Sequence, residues 1–220
     1  GGWREHELAM KLSGVPYLDI LAAGGGILST VRSTRAASER ELEDKTLPVL
    51  KRMLALGVTT CEAKSGYGLS LDEELKLLRV AKTLGGRQPV ELVSTFMAAH
   101  AVPPEFKDNR EAYIDLIIDE MLPALRGSGL AEFCDVFCET GVFSAEESER
   151  ILMAGRQAGL RLKCHSDEID AVGGTEMAGR IGAVSCEHLI RCRPSGLEAL
   201  AKGGTIACCL PATSFYLDAG

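Results

Sequence analysis

The sequence has 220 residues, which is long enough for one sizeable hydrophobic core, so that a single α/β barrel-type domain could use all of it. Hydrophobic residues make up 46% and charged residues 25%, both ordinary values for a soluble globular protein. The net charge of −7 and the lack of a basic run argue against a nucleic-acid partner. No stretch approaches the roughly 18 consecutive apolar residues of a membrane-spanning helix, so we expect no membrane partner.

The amino end and the cysteines indicate a reducing, cytoplasmic location. Residues 1–6 do not resemble a signal peptide, so we expect none. Seven of the eight cysteines lie in apolar, strand-like runs: Cys61, Cys134, Cys138, Cys164, Cys186, Cys208 and Cys209. A spacing of four residues within one predicted strand does not suit a zinc knuckle, which excludes a metal role for Cys134 and Cys138. We therefore predict that these cysteines are small buried hydrophobic side chains.

The first part of the chain is predicted to be helical, with interruptions. Residues 3–12 predict a helix that ends before Gly14 and Pro16. Residues 17–23 form a second short apolar segment, followed by three glycines that we interpret as a flexible turn. Residues 38–56 then predict a long amphipathic helix with Gly57 as its C-terminal stop.

From residue 58 onward, predicted strands and helices alternate. The strands are predicted at 58–64, 90–99, 134–139, 160–165, 183–188 and 205–210. The helices between them are predicted at 72–84, 111–122, 144–158, 171–181 and 195–201. Strands that alternate with helices form parallel sheets. Both a doubly wound open sheet and a (β/α)8 barrel fit this pattern.

Polar, reactive side chains follow one predicted strand after another, which favours the barrel. These residues are Lys64, Tyr67, His100, Glu139, His165, Glu168 and His188. In a barrel the carboxyl ends of all strands converge on one site, whereas an open sheet gathers ligands only at its switch point. The sequence has no glycine fingerprint or P-loop that would support the open sheet. We therefore predict a barrel with its site at the carboxyl ends of the strands.

The strand predicted at 160–165 ends in a polar tip that combines His165 with Glu168. A neutral imidazole can bind a divalent metal, and a carboxylate three residues later can move protons for a water molecule that the metal activates. The alternative is a structural histidine capped by a nearby acid. Because His100 and His188 also follow predicted strands, we favour the functional interpretation. His188 could be a ligand or an acid–base group, and strand alternation predicts that Glu187 faces away from it.

Two lysines and a tyrosine leave further alternatives open. Lys163 lies two residues before His165, so it should share the face of that residue one layer deeper. A buried Lys163 or Lys64 could form a Schiff base with a carbonyl substrate, although we favour ion pairs for both. Tyr67 lies in a glycine-flanked loop, where its phenol could reach a ligand or anchor the loop against the rim. No Ser–His–Asp order or nucleophile elbow is present in the sequence.

Several motifs together resemble one known family. They are Arg4-Glu5-His6-Glu7, Gly24-Gly25-Gly26-Ile27, Ser29-Thr30-Val31, Thr34-Arg35, Lys64-Ser65-Gly66-Tyr67-Gly68-Leu69, Thr95-Phe96, Ala99-His100-Ala101, Asp135-Val136-Phe137-Cys138-Glu139, His165-Ser166-Asp167-Glu168 and Glu187-His188-Leu189. From about Arg4 to Leu210, the chain resembles the imidazolonepropionase family of the amidohydrolase superfamily. The resemblance implies a (β/α)8 barrel of the amidohydrolase type, with residues 1–220 in a single metal-dependent hydrolase domain.

The same resemblance implies a reaction and a set of site residues. The family hydrolyses 4-imidazolone-5-propanoate to N-formimidoyl-L-glutamate in histidine degradation, with water activated by one zinc or iron ion. It implies that His165 is a metal ligand and that Glu168 and His188 handle protons or polarise the ring. The positions implied to hold the substrate are Arg4, Tyr17, Tyr67 and His100. We expect a small-molecule substrate, and a homodimer is left open.

The sequence also departs from the pattern of the family. The His-x-His metal pair of the first barrel strand, the aspartate ligand of the last strand and the small β-sandwich are not found within residues 1–220. We therefore expect the central portion of a longer enzyme, inactive by itself. The alternatives are another amidohydrolase-type cyclic-amide hydrolase or deaminase, a Schiff-base lyase that uses Lys163 or Lys64, and a binding domain without chemistry.

Overall fold

The computed structural model describes residues 5–15 and 25–217. Arg4 and Tyr17, two predicted substrate-binding residues, lie outside these ranges, as does the whole predicted apolar segment at 17–23. The helices are α1 (Glu5–Leu12), α2 (Ile27–Ala36), α3 (Glu39–Ala55), α4 (Leu71–Gly85), α5 (Arg110–Leu116), α6 (Leu122–Leu125), α7 (Ala145–Gln157), α8 (Gly174–Arg180), α9 (Pro194–Gly203) and α10 (Pro211–Leu217). A π-helical turn, Ile117–Met121, joins α5 to α6, and a short 3-10 turn covers Pro104–Phe106. Within the described ranges, no helix is both long enough and apolar enough to cross a membrane.

Two of the longer helices begin at side-chain caps that can be read in the sequence. Ser38 precedes α3, where its hydroxyl accepts the N–H of Glu41 and the Glu41 carboxylate accepts the N–H of Ser38 at 2.8 Å. Ser144 and Glu147 form the same reciprocal pair before α7. A capping box of this kind satisfies backbone N–H groups that the first turn of a helix leaves unpaired. Both helices therefore start within one residue of their predicted positions.

The strands form one parallel sheet in the order of the sequence. They are β1 (Thr60–Lys64), β2 (Glu91–Ala99), β3 (Phe133–Cys138), β4 (Arg161–Ser166), β5 (Ser185–His188) and β6 (Ile206–Cys208). Each strand pairs in parallel with the next one along the chain. A doubly wound sheet would reverse this order at its switch point, and no reversal occurs among the described strands. With right-handed crossovers, an unreversed order places the connecting helices on one side of the sheet, as in a barrel.

Contacts between distant strands show that the sheet curls around an interior. Lys64 Nζ on β1 lies 3.2 Å from Glu187 Oε1 on β5. Lys163 Nζ on β4 lies 2.8 Å from Glu62 Oε2, again on β1. In a flat sheet β1 and β5 would be about 19 Å apart, because neighbouring strands are spaced by about 4.8 Å. The described strands therefore form part of an α/β barrel, which confirms the predicted fold class at that level.

The strand register decides which side chains face the interior. Paired residues of parallel strands point to the same side of the sheet, and successive residues of one strand alternate. His165 pairs with Phe137 on β3 and with Glu187 on β5, so these three side chains share one interior layer. Lys163 and Ser185 pair one layer deeper. The prediction that Lys163 shares the face of His165 is confirmed.

The other face of the sheet packs against the helices and carries several cysteines. The buried cysteines are Cys134, Cys138, Cys164 and Cys186. The helix layer lies so close to this face that a Cβ atom added to Gly155 of α7 would be only 2.9 Å from the Sγ of Cys134. Burial also raises the pKa of the Cys138 thiol to about 12. The predicted role as small buried hydrophobic side chains is confirmed for these four.

The same prediction is wrong for three cysteines near the sheet edges. Cys61 on β1 and Cys208 on β6 are half-buried, and Cys209 is exposed. In the described part of the chain, β1 and β6 are the two outer strands of the sheet, so neighbouring strands cover them on one side only. The last strand is also shorter than predicted, because α10 begins at Pro211. All eight cysteines are free.

Candidate functional site

Five predicted site residues lie together at the carboxyl ends of the strands. They are Tyr67, His100, His165, Glu168 and His188. The ring centroid of His165 lies 5.2 Å from that of His188 and 6.3 Å from that of His100. The ring of Tyr67 stands edge-on to His100 at 5.1 Å. The barrel topology therefore places these residues in one cluster, as predicted.

His165 is buried at the end of β4 and has a carboxylate at each ring nitrogen. Its Nδ1 lies 3.0 Å from Asp135 Oδ2, and its Nε2 lies 3.5 Å from Glu187 Oε2. The carboxylates come from the two neighbouring strands, β3 and β5. Ligand atoms of these three residues all lie within 4.8 Å of one another. The arrangement could therefore hold a metal ion.

The chemistry of this donor set fits a divalent metal ion. An imidazole nitrogen and a carboxylate oxygen, such as those of His165 and Glu187, are ligands that zinc and iron accept. A carboxylate that accepts an N–H bond from Nδ1 leaves Nε2 free to bind a metal, and Asp135 lies where it can do this. Lys64 Nζ lies 2.7 Å from Asp135 Oδ2 and 3.2 Å from Glu187 Oε1. The ammonium thus contacts one oxygen of each carboxylate.

The charges around His165 shift its pKa and that of Asp135 in opposite directions. Burial alone lowers the pKa of His165, but Asp135 and Glu187 raise it above its usual value. Burial alone raises the pKa of Asp135, but His165 and Lys64 lower it below its usual range. Protons therefore compete with a metal for His165 as the pH falls, since only the neutral ring can be a ligand.

Below His165 lies an interior ion-pair network, composed of Glu62, Lys64, Asp135, Lys163 and Glu187. Glu62 bridges the two lysines, with one oxygen 2.8 Å from Lys64 Nζ and the other 2.8 Å from Lys163 Nζ. Burial alone lowers the pKa of Lys64, but the charges of Asp135 and Glu187 raise it well above its usual value. A protonated amine cannot attack a carbonyl carbon, which disfavours a Schiff base on Lys64. The prediction that both lysines form ion pairs is confirmed.

His188 leaves β5 in the left-handed conformation, with φ of 75°. This turn ends the alternation of the strand, so both Glu187 and His188 contact His165. The prediction that Glu187 faces away from His188 is therefore wrong. Burial lowers the pKa of His188 to about 4, so its ring is neutral near pH 7. Within the described residues its Nδ1 is buried without a hydrogen-bond partner, although Glu168 Oε1 lies 3.4 Å away.

Glu168 lies on the loop after β4, half-buried beside His188. Burial raises the pKa of its carboxyl, while the charge of His165 acts against that shift. A carboxyl with a raised pKa exchanges protons more readily near neutral pH than an ordinary one, which suits acid–base chemistry. The structure thus places Glu168 beside His188.

His100 and Tyr67 follow β2 and β1, which precede β4 in the strand order, whereas His188 belongs to β5. The pairing of β2 with β3 shifts register between Phe96 and Ala99, directly before His100. Bulges of this kind re-aim the residues that follow them. His100 Nδ1 lies 3.0 Å from the carbonyl oxygen of Gly66, in the loop that carries Tyr67. Burial lowers the pKa of His100 to about 4, so this ring is also neutral near pH 7.

Sequence reasoning assigned no role to Asp135 or Glu187, although both contact His165. Each lies within a buried strand, and a carboxylate there costs free energy unless it has a partner. Asp135 is 1% exposed between apolar neighbours, and Glu187 is 6% exposed. An acidic residue inside an apolar strand was therefore the signal that could have identified them.

Comparisons with known proteins found similar sequences and a similar fold. No protein-family model matches the chain. The chain is 60% identical over 217 residues to an imidazolonepropionase of Fusobacterium nucleatum, 54% over 220 residues to one of Alkaliphilus metalliredigens and 55% over 217 residues to one of Treponema denticola. These matches cover 99 to 100% of the chain and 52% of each relative.

The fold is similar to that of a solved structure. The crystal structure of adenine deaminase from Arthrobacter aurescens matches with a TM-score of 0.61 and 19% sequence identity, over 85% of this chain and 57% of that one. This likeness supports the partial α/β barrel. The chain spans about half the length of the curated relatives it matches. Over that half, its sequence is similar to those of the three imidazolonepropionases.

Proposed function

We propose that the protein with this chain hydrolyses 4-imidazolone-5-propanoate to N-formimidoyl-L-glutamate, a step of histidine degradation. The observation that carries the proposal is 60% identity to an imidazolonepropionase over 217 residues. Because the chain spans about half of that relative, the activity is proposed for the complete protein. Residues 1–220 would form the central part of one (β/α)8 barrel domain of the amidohydrolase type, with the other strands, ligands and the small β-sandwich elsewhere in the protein.

The buried cluster around His165 supports the chemistry. A divalent ion, zinc or iron, supplies a Lewis acid that activates water and polarises the ring carbonyl. His165 would hold the ion through Nε2, and Asp135 would keep the Nδ1 proton in place. Glu187 offers an oxygen on the Nε2 side. In the interior ion-pair network beneath the site, the Lys64 ammonium contacts both Asp135 and Glu187.

Ring opening requires two proton movements, which we assign to Glu168 and His188. The oxygen of water bonds to the carbonyl carbon, the bond from that carbon to the ring nitrogen breaks, and the nitrogen gains a proton. Glu168 would take the proton from the water and deliver it to the nitrogen. His188, neutral and 3.4 Å from Glu168, would polarise the ring or share that proton.

The substrate would be held at the rim of the barrel. Tyr67 and His100 face the site from the loops after β1 and β2. Arg4 and Tyr17 are proposed only from the family resemblance. A guanidinium such as that of Arg4 suits the propanoate carboxylate, because its planar fork can donate two parallel hydrogen bonds. The free cysteines support a cytoplasmic location. A homodimer and the lack of a nucleic-acid partner stay predictions from the sequence.

The test is hydrolysis of 4-imidazolone-5-propanoate by the complete protein. We expect turnover to N-formimidoyl-L-glutamate, identified by mass spectrometry, with about one equivalent of metal per chain. A chelator should abolish the activity, and added zinc or iron should restore it. Metal-loaded protein that leaves the substrate unchanged would contradict the proposal.

A further inference from the structure

We propose that Glu139 is a positioning residue that holds Glu168 in place for proton transfer. The proposal rests on the role that the proposed function gives to Glu168. Glu139 follows β3 and is only 2% exposed. Neither the family resemblance nor strand-end convergence distinguishes this acid from the catalytic candidates. Its hydrogen bonds do.

The Glu139 carboxylate accepts four backbone hydrogen bonds. Oε2 accepts the N–H of Glu168 at 3.1 Å and that of Ile169 at 2.9 Å. Oε1 accepts the N–H of Asp170 at 3.1 Å and that of Thr140 at 2.8 Å. Three consecutive N–H groups of the loop after β4 therefore converge on one side chain from the neighbouring strand. That loop is the backbone from which Glu168 projects.

These bonds are strong enough to set the shape of the loop. Successive N–H groups that point to one anion form a nest, and hydrogen bonds to a charged acceptor are about twice as strong as neutral ones. The residue before Glu168 is held as well, because Asp167 adopts a φ of 52° and its carboxylate accepts the N–H of Val172 at 3.1 Å. Asp167 also accepts the hydroxyl of Thr175 at 2.5 Å. Both sides of Glu168 are thus tied to buried carboxylates.

This arrangement gives the two acids different roles: Glu139 holds the loop, and Glu168 transfers the proton. The four hydrogen bonds of the Glu139 carboxylate all come from backbone N–H groups, so its oxygens are engaged in holding the loop. Glu168 directs its own carboxylate toward His188, at 3.4 Å. Proton transfer needs heavy atoms within about 3 Å, and a displacement of about 1 Å can reduce the rate roughly 10²-fold. Loosening the loop should therefore slow the chemical step.

A second buried acid offers a matched comparison. Glu74 of α4 is 1% exposed and accepts the N–H groups of Gly66 at 3.0 Å, and of Gly68 and Leu69 at 2.8 Å. It therefore holds the loop that carries Tyr67 in the way that Glu139 holds the loop of Glu168. Tyr67 is assigned to substrate binding, so the same substitution at Glu74 should change KM more than kcat.

The experiment compares Glu139→Gln, Glu74→Gln and Glu41→Gln in the complete protein. Glutamine preserves the shape but turns one oxygen into an NH2 group, which at position 139 faces two N–H donors. We expect Glu139→Gln to lower kcat roughly 10²-fold with KM within about threefold of wild type and metal content unchanged. Glu74→Gln should mainly raise KM. Glu41→Gln, at the exposed capping box of α3, should leave both constants unchanged.

Amide hydrogen exchange adds a direct measurement of the loop. We expect Glu139→Gln to speed exchange at residues 168–170, and Glu74→Gln to speed it at 66–69. If Glu139→Gln does not fold, as judged by its thermal midpoint, Glu139→Asp serves in its place. Aspartate keeps the charge but retracts it by one methylene, so we expect a smaller loss of kcat in the same direction.

The outcomes separate this proposal from the proposed function. If the wild-type protein turns over the substrate and Glu139→Gln has an unchanged kcat, the positioning role is refuted and the proposed function is not. Equal losses of kcat in Glu139→Gln and Glu74→Gln also refute it, because they indicate a general loss of folded protein. Wild-type protein without turnover refutes the proposed function, and the role of Glu139 is refuted with it.

Discussion

Two layers of the barrel interior differ in how their buried polar groups are paired. In the interior ion-pair network, both lysines have carboxylates within hydrogen-bond distance, and Lys64 contacts three of them. At the rim, His100 and His188 are kept neutral by burial. The Nδ1 of His188 has no hydrogen-bond partner among the described residues. His165 lies where the two layers meet.

The difference separates the layer that supports the fold from the layer that has an unpaired hydrogen-bonding group. Buried polar groups in folded proteins are nearly always paired, so an unpaired buried nitrogen calls for an explanation. The network is paired within itself and holds the strands together from inside. The rim retains hydrogen-bonding capacity that a substrate could use. We therefore expect substitutions in the network to change stability, and substitutions at the rim to change catalysis.

The largest effect is expected at His165, which belongs to both layers. His165→Ala removes the nitrogen between Asp135 and Glu187, so the complete protein should lose most of its bound metal and its turnover. The loss of metal affinity should exceed the roughly 10- to 100-fold loss that is typical when a hydrogen-bond partner of a metal ligand is removed. Metal content by mass spectrometry is the measurement, with His100→Asn as a control that keeps its metal. Tight equimolar metal in His165→Ala would remove this residue from the site.

A large loss of stability is expected when the network loses its central cation. Lys64→Met leaves Asp135 and Glu187 buried without that ammonium, so we expect the free energy of unfolding to fall by about 3–5 kcal/mol. The control is Arg180→Met, which removes the exposed ion pair with Glu149 and should cost no more than about 1 kcal/mol. Urea unfolding of metal-free protein measures both. Similar values for the two variants would mean that the network contributes no more than a surface pair.

A loss of rate without a loss of metal is expected at the rim. Glu168→Gln keeps the size of the side chain but removes the group that would carry the proton. We expect kcat to fall roughly 10²-fold or more, in line with the usual size of acid–base contributions, with metal retained. Steady-state kinetics with metal analysis are the measurements. Normal turnover in this variant would show that its assigned role is wrong.

The smallest effect is expected in the pH dependence of stability. The pKa of His100 is about 4 in the folded protein, below the usual value of about 6.5, so unfolding promotes its protonation between these values. The free energy of unfolding should therefore be highest above about pH 6.5 and should decline toward about pH 4. His100→Asn should make this decline shallower in metal-free protein. Identical pH slopes in urea titrations of the two proteins would contradict the assignment.

The strands, the strand-end candidates and most of the helices could be predicted from the sequence, because their signals are local, although no helix was predicted at α10. Caps such as Ser144 with Glu147 lie three residues apart, and the alternation of apolar residues marks each strand. The parallel sheet followed from the alternation of strands with helices. Once a barrel was preferred, the convergence of His100, His165 and His188 followed from topology alone. The structure places all three together.

Side-chain partners could not be predicted in the same way. Lys64 meets Glu187, 123 residues later in the chain, only because the sheet curls. Glu187 lies beside His165 because the register of β4 and β5 pairs these two residues. Asp135 reaches His165 from one layer deeper, two residues before Phe137, which pairs with His165. The strand-end conformation of His188, with φ of 75°, also overrode the simple alternation of side chains.

The sequence by itself determined the order of elements and the ends of strands where reactive residues lie. The tertiary structure decided which carboxylate serves which purpose: Asp135 beside His165, Glu168 beside His188, and Glu139 under the loop between them. The physical reason is that periodicity and capping act over a few residues, whereas charge pairing and burial act through space. The role of an acid therefore depends on what the curled sheet brings within about 3 Å of it.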